Sequence, residues 1–207
     1  MSAEVPAMQA NPAGEHELVV THATGMPTAL VGMLLFIASE VMFFGGLFAT
    51  YFNARASVGP GNWHPPEGAH ELDLPLAAVL TAILVASSFT MQFGVWAIRR
   101  GDNGALRMWT GITLALGVLF LAGQLYDYSQ LGFGIGDGVF GTTFYTLTGF
   151  HGAHVFGGVV GLTIVLARTM RGQFSARNHV AVEAVSFYWH FVDVVWIGVF
   201  TTIYILR

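Results

Sequence analysis

The stretch FYWHFVDVVW, Phe187 to Trp196, sets His190 and Asp193 one helical turn apart inside an otherwise apolar run. FHGAH holds His151 and His154, and FIASEVMFFGG holds Glu40, each again among apolar neighbours. Imidazoles and carboxylates on separate segments are ligand types for iron, copper or haem. His151 and His154, about 60° apart around a helix, can share one face. The same residues also suit a buried hydrogen-bond network in which His190, Asp193 and one of the two neighbouring histidines satisfy each other and lock two helices together. Residue types and spacing leave both chemistries open. The chain has no cysteine, which excludes disulfides, thiolate metal sites and cysteine nucleophiles.

The elements that must position these groups follow from composition. Apolar residues make up 54% of the 207 and charged residues 10%, and the charges avoid several runs of 20 or more residues. This predicts an all-α integral membrane protein with five spanning helices at about 28–53, 74–99, 105–127, 139–168 and 180–206. Residues 1–27 form a polar tail with no Lys or Arg and no apolar core of signal-peptide length. The breaks are rich in Gly, Pro and acids, as in the 59–73 loop, which is expected to be a linker. The runs are too long for strands and show no period of two. No basic stretch interleaved with aromatics suggests nucleic acid.

Every basic residue is an arginine. Arg99, Arg100, Arg107, Arg168, Arg171 and Arg177 fall at or near the second and fourth connections, against Arg55 and Arg207 on the other side. The positive-inside rule then places the N-terminus inside and the C-terminus outside. Counted along such helices at about 1.5 Å per residue, Glu40, His151, His154, His190 and Asp193 all reach the central part of the membrane. There they must face the bundle interior, and each is a functional-site hypothesis. On the fourth helix Gly149, Ala153, Gly157 and Gly161 recur every four residues, a small-residue stripe expected to let a neighbouring helix approach closely.

TGFHGAHVFGG (148–158), NHVAVEA (178–184), FYWHFVDVVW and SEVMFFGGLFATYF (39–52) stand in the order and spacing of subunit III of the haem-copper terminal oxidases. From about residue 29 to the C-terminus the chain resembles the cytochrome c oxidase subunit III family, in its five-helix bacterial short form. Where many members have Glu at the end of the third helix this chain has Asp127, and it lacks the first two helices of the long members, so the lipid cleft those helices help form is incomplete.

The resemblance implies an accessory subunit in the bacterial plasma membrane that binds no metal or other cofactor itself and holds no catalytic residue. Haem and copper would reside in partner subunits I and II, with cytochrome c or a quinol as donor to the complex. Glu40 matches the family's buried acid and is expected to modulate turnover or proton uptake. His151, His154, Glu183, His190 and Asp193 are the expected interior polar network, and Arg168 the expected contact to a phospholipid headgroup. Quinol oxidases and an accessory protein of nitric oxide reductase share the five-helix pattern. A free-standing haem b anchor pairing His151 or His154 with His190, and a small transporter, are the alternatives of other classes; no internal repeat favours the transporter.

Overall fold

The computed structural model describes residues 26–66 and 72–206. Most of the polar tail, positions 67–71 of the 59–73 loop and Arg207 lie outside the described residues. Five helices account for nearly all the rest: α1 (Thr28–Val58), α2 (Leu74–Arg99), α3 (Asn103–Gln130), α4 (Gly138–Met170) and α5 (Val180–Phe200), the last continuing as a π-wound segment, Thr201–Ile205. All five are long and apolar enough to cross a membrane. At 26 residues α2 is about 39 Å long, more than the ~30 Å hydrocarbon layer requires.

Several helices outrun the apolar stretches that announce them. α1 continues through Asn53, Arg55 and Ser57, and α3 and α4 each gain residues at both ends. Hydropathy marks where lipid should end, whereas the backbone goes on hydrogen-bonding until a cap or a breaker stops it. Those signals are local. Asp73 accepts from the backbone N–H of Leu76 at 2.9 Å ahead of Pro75, and Asp102 accepts from that of Ala105 at 2.9 Å. Gly101 (φ 81°) and Gly172 (φ 67°) supply the left-handed residue that closes α2 and α4.

The packing is a ring of four helices with one outlier. α2 packs on α3, α3 on α4, α4 on α5 and α5 on α2, while α1 lies outside the ring against α4 and α5. The connections after α2 and α4 adjoin at one end, where Arg99 meets Glu183 and a Cβ on Gly101 would lie 3.9 Å from Ala176. Six of the eight arginines are therefore on or beside the connections at that end. At the other end Trp63 donates its indole N–H to the Tyr51 hydroxyl (3.1 Å) and stacks edge-on against Phe140, tying the α1–α2 connection to α4.

The tightest packing comes from α5. The fully buried Trp189 lies between α3 and α4: a Cβ added at Gly117 would sit 2.6 Å from its ring, and one at Gly158 also 2.6 Å. Its indole N–H donates to Ser87 of α2 at 2.9 Å. The small-residue stripe does not coincide with this seam. A Cβ on Gly161 would touch Val185 and one on Gly157 would approach the Tyr188 hydroxyl, but one on Gly149 meets nothing within 4 Å and Ala153 is exposed. Two residues of the stripe thus face α5, and the closest approach is made beside it by Gly158, because α5 brings a ring to that face of α4, while nothing described covers the other half of the stripe.

Gly158→Ala should therefore destabilise the chain by about 1–3 kcal/mol, the range for overpacking a filled core. Gly149→Ala, in open space, should be neutral or gain up to about 1 kcal/mol from helix propensity. Thermal unfolding of the detergent-solubilised chain checks both: a lowered midpoint for the first and an unchanged or raised one for the second.

Candidate functional site

The polar residues of the spanning segments do not form one network. They divide among separate places, and the first joins α1 to α4. The Glu40 carboxyl lies 2.9 Å from Nε2 of His154, and both side chains are largely buried, at 20% and 16% exposure. Nδ1 of His154 lies 2.7 Å from the Phe150 carbonyl oxygen. A carbonyl can only accept, so Nδ1 carries a hydrogen. The proton between Nε2 and Glu40 is then shared: an imidazolium facing a carboxylate, or a neutral imidazole accepting from a carboxylic acid. Either way the pair is neutral overall, which suits the membrane interior. Phe43 and Phe44 flank the imidazole, and the Tyr188 hydroxyl donates to the His154 backbone carbonyl at 3.0 Å, bringing α5 to the same point.

The second place joins α2 to α5. Ser88 donates to Asp193 and lies 2.9 Å from Nδ1 of His190. Serine, histidine and aspartate meet, but the serine stands between the other two. In a nucleophilic triad the histidine stands between, taking the serine proton while the acid orients it. This arrangement is a cross-brace between α2 and α5, and its order is not that of a nucleophilic triad. Its strongest unmet demand is the second carboxyl oxygen of Asp193, buried without a partner.

Glu183 belongs to neither place. At the arginine-rich end its carboxyl accepts from Nε (2.9 Å) and Nη2 (2.7 Å) of Arg99 and lies 3.4 Å from Nε2 of His179, linking the end of α2 to the start of α5. His151 stands apart as well. It is fully buried, its ring 4.9 Å from that of Trp196 and edge-on to Phe120, and neither nitrogen has a partner. Arg168 uses Nε on Gln173 (3.0 Å) and lies over the Phe174 ring at 4.8 Å; its two terminal nitrogens make no hydrogen bond among the described residues.

These four histidines thus sit in four separate settings: His154 with Glu40 and Phe150, His190 with Ser88, His151 among aromatic rings, His179 with Glu183 and Ser175. Among the described residues no three His, Asp or Glu side chains converge as metal ligands.

A family model described as cytochrome c oxidase subunit III matches residues 6–207. The chain belongs to the cytochrome c oxidase subunit III family. Among similar proteins, cytochrome c oxidase subunit 3 of Corynebacterium diphtheriae is 48% identical over 86% of this chain and 87% of its own length. A probable cytochrome c oxidase subunit 3 of Nocardia farcinica is 50% identical over 90% and 92%. Cytochrome c oxidase subunit 3 of Thermostichus vulcanus is 44% identical over 91% and 93%. As a subunit III the chain is a multi-pass component of an oxidoreductase complex with other oxidase subunits.

Residue reading alone missed several participants. Ser88, Tyr188, Arg99 and His179 each partner an expected site residue, and Tyr204 donates to Asp127 at 3.3 Å. The serine pair Ser87 and Ser88 in the middle of an apolar span was the available signal, since a hydroxyl at that depth must bond to something.

The shared proton yields a test. In Glu40→Gln an amide N–H can still donate to Nε2, so the stability of the chain should change by less than about 1 kcal/mol, whereas Glu40→Leu should cost about 1–3 kcal/mol by leaving His154 unpaired. Adding His154→Phe to Glu40→Leu should recover part of that loss. Thermal unfolding of the four proteins reads the coupling, and equal losses for Gln and Leu would refute it.

Proposed function

We propose that this chain is the accessory subunit III of a proton-pumping cytochrome c oxidase that reduces dioxygen to water in aerobic respiration. Haem and copper sit in partner subunits I and II, with this chain holding no redox centre. The observation that carries the reading is the family match across residues 6–207, with relatives named cytochrome c oxidase subunit 3 aligned over nine-tenths of their length. The helix-to-helix contacts of Glu40 with His154 and of Ser88 with His190 and Asp193 accord with a supporting role. The complex lies in a bacterial inner membrane, N-terminus inside, an orientation supported by the gathering of arginines at one end of the bundle. Cytochrome c is the proposed donor.

Within that role Glu40 with His154 modulates proton uptake by subunit I and sustains turnover. The pair holds one movable proton at mid-membrane depth, yet among the described residues no chain of acids runs on from it along α1. Ser88, His190 and Asp193 hold α5 to α2 and so support assembly. Arg168 binds an anionic headgroup: with Nε on Gln173, its two Nη nitrogens have no partner among the described residues and can offer a phosphate a pair of donors at the arginine-rich end of the bundle.

Tagged chain extracted from native membranes should bring down subunits I and II and a complex that consumes oxygen; recovery of the chain without them would overturn the reading. In that complex Glu40→Gln should keep the initial oxygen-consumption rate within about twofold, below roughly 0.5 kcal/mol in barrier. Glu40→Ala should shorten the active lifetime, and an immediate hundredfold loss in the intact Glu40→Gln complex would place this acid on the obligatory proton path. Arg168→Ala should lower the phospholipid phosphorus retained per complex; unchanged phosphorus would remove the headgroup role.

A further inference from the structure

We propose that the outward strip of α5 between α1 and α2 is the docking face for a transmembrane helix of another oxidase subunit, one that presents hydrogen-bonding side chains to His190 and Gln92. The inference rests on the oxidase-subunit reading above and specifies the face and chemistry of the contact. Because α1 packs on α4 and α5, and α2 on α3 and α5, one side of α5 is left bare between them. Phe187, His190, Val194 and Ile197 recur along it at spacings of three and four, with Val194 68% exposed.

Lipid tails would suit Phe187, Val194 and Ile197, but not the polar groups among them. His190 is partly exposed about 15 Å along α5 from its start, inside the hydrocarbon layer. Ser88 Oγ bonds to Asp193 and lies 2.9 Å from Nδ1, which commits that imidazole nitrogen to the brace. Nε2 is left with no partner among the described residues, on a side chain that is not sealed inside the bundle.

Gln92 adds an independent demand. It lies one turn from Ser88 on the same face of α2, is partly exposed, and its amide makes no hydrogen bond among the described residues. An amide and an imidazole nitrogen left unpaired against hydrocarbon would each cost several kcal/mol, on the order given for bilayer interiors. The occupant must therefore be protein, and it must offer hydrogen-bonding side chains. A helix carrying hydroxyl or amide side chains at this depth, able both to donate and to accept, and flanked by apolar residues that cover Phe187, Val194 and Ile197, meets both conditions. The serine brace behind the strip fixes the imidazole for it.

A photo-cross-linking residue placed at Val194 in the intact complex, with one at the exposed Leu119 of α3 for comparison, tests this directly. Mass spectrometry should find a peptide of another oxidase subunit joined at 194 and lipid at 119. Lipid adducts alone at 194, or a second copy of this chain there, would overturn the docking face while the co-purified complex leaves the oxidase reading standing; a chain that purifies without other oxidase subunits overturns the reading itself. Since Gln92 bonds to nothing described within the chain, Gln92→Leu should leave the thermal midpoint of the isolated chain unchanged. It should lower retention of the subunit in washed complex by roughly three- to tenfold, the ratio matching a hydrogen bond between membrane helices. Unchanged retention would contradict the proposal.

Discussion

Two indoles on one face of α5 set the geometry of the bundle. Trp189 fits against Gly117 of α3 and Gly158 of α4 while its N–H reaches Ser87 of α2. Seven residues on, Trp196 repeats the arrangement, with its N–H on Thr81 of α2 and its ring against Phe120 of α3 and His151 of α4. Lipid is as apolar as the side chains, so burial of hydrocarbon gives little drive for helices to associate; close packing and hydrogen bonds must supply it. Each tryptophan offers both at once, and each touches all three other helices of the ring. The register between α5 and its neighbours follows from where those rings fit.

With that register set, the polar residues meet partners at defined heights. Trp189 brings Ser88 of α2 beside His190 and Asp193, and holds α4 where His154 can face α1. The same constraint that makes a lone polar group costly in lipid makes each of these encounters specific, because a slip along any helix would strand several groups together. His151 is the exception that shows the alternative: it is accommodated by aromatic faces and acts as a packing ring.

Much of this was legible in the residues. Five apolar runs located the helices, and the depth of Glu40, His154, His190 and Asp193 marked them as groups needing partners. What could not be read was pairing. Glu40 and His154 are 114 positions apart, and Ser88 and Asp193 are 105 apart, distances over which no local pattern reports which faces meet. A single shared network was the economical expectation for residues at one level, but α5 has two sides, and Tyr188 and His190, two positions and about 200° apart on one turn, point to different neighbours. The glycine stripe gave the face of α4 only in part for a related reason: spacing identifies a face able to admit a helix, while a bulky ring beside it decides where the closest approach falls.

The position of α1 outside the ring has a consequence for how the protein is made. Among the described residues its extensive contacts are with α4 and α5, so α1 is synthesised well before either helix it packs on. At about 5–20 residues per second, roughly 6 to 23 seconds separate the emergence of Glu40 from that of His154 114 positions later. Through that interval the carboxyl must be sheltered by the insertion machinery, by water at the membrane edge or by taking up a proton of its own. Completion of α4 first offers the carboxyl its base, and α5, made after it, supplies the rest of the surface on which α1 settles, so the pairing of acid with base is a latch that can close only late in synthesis.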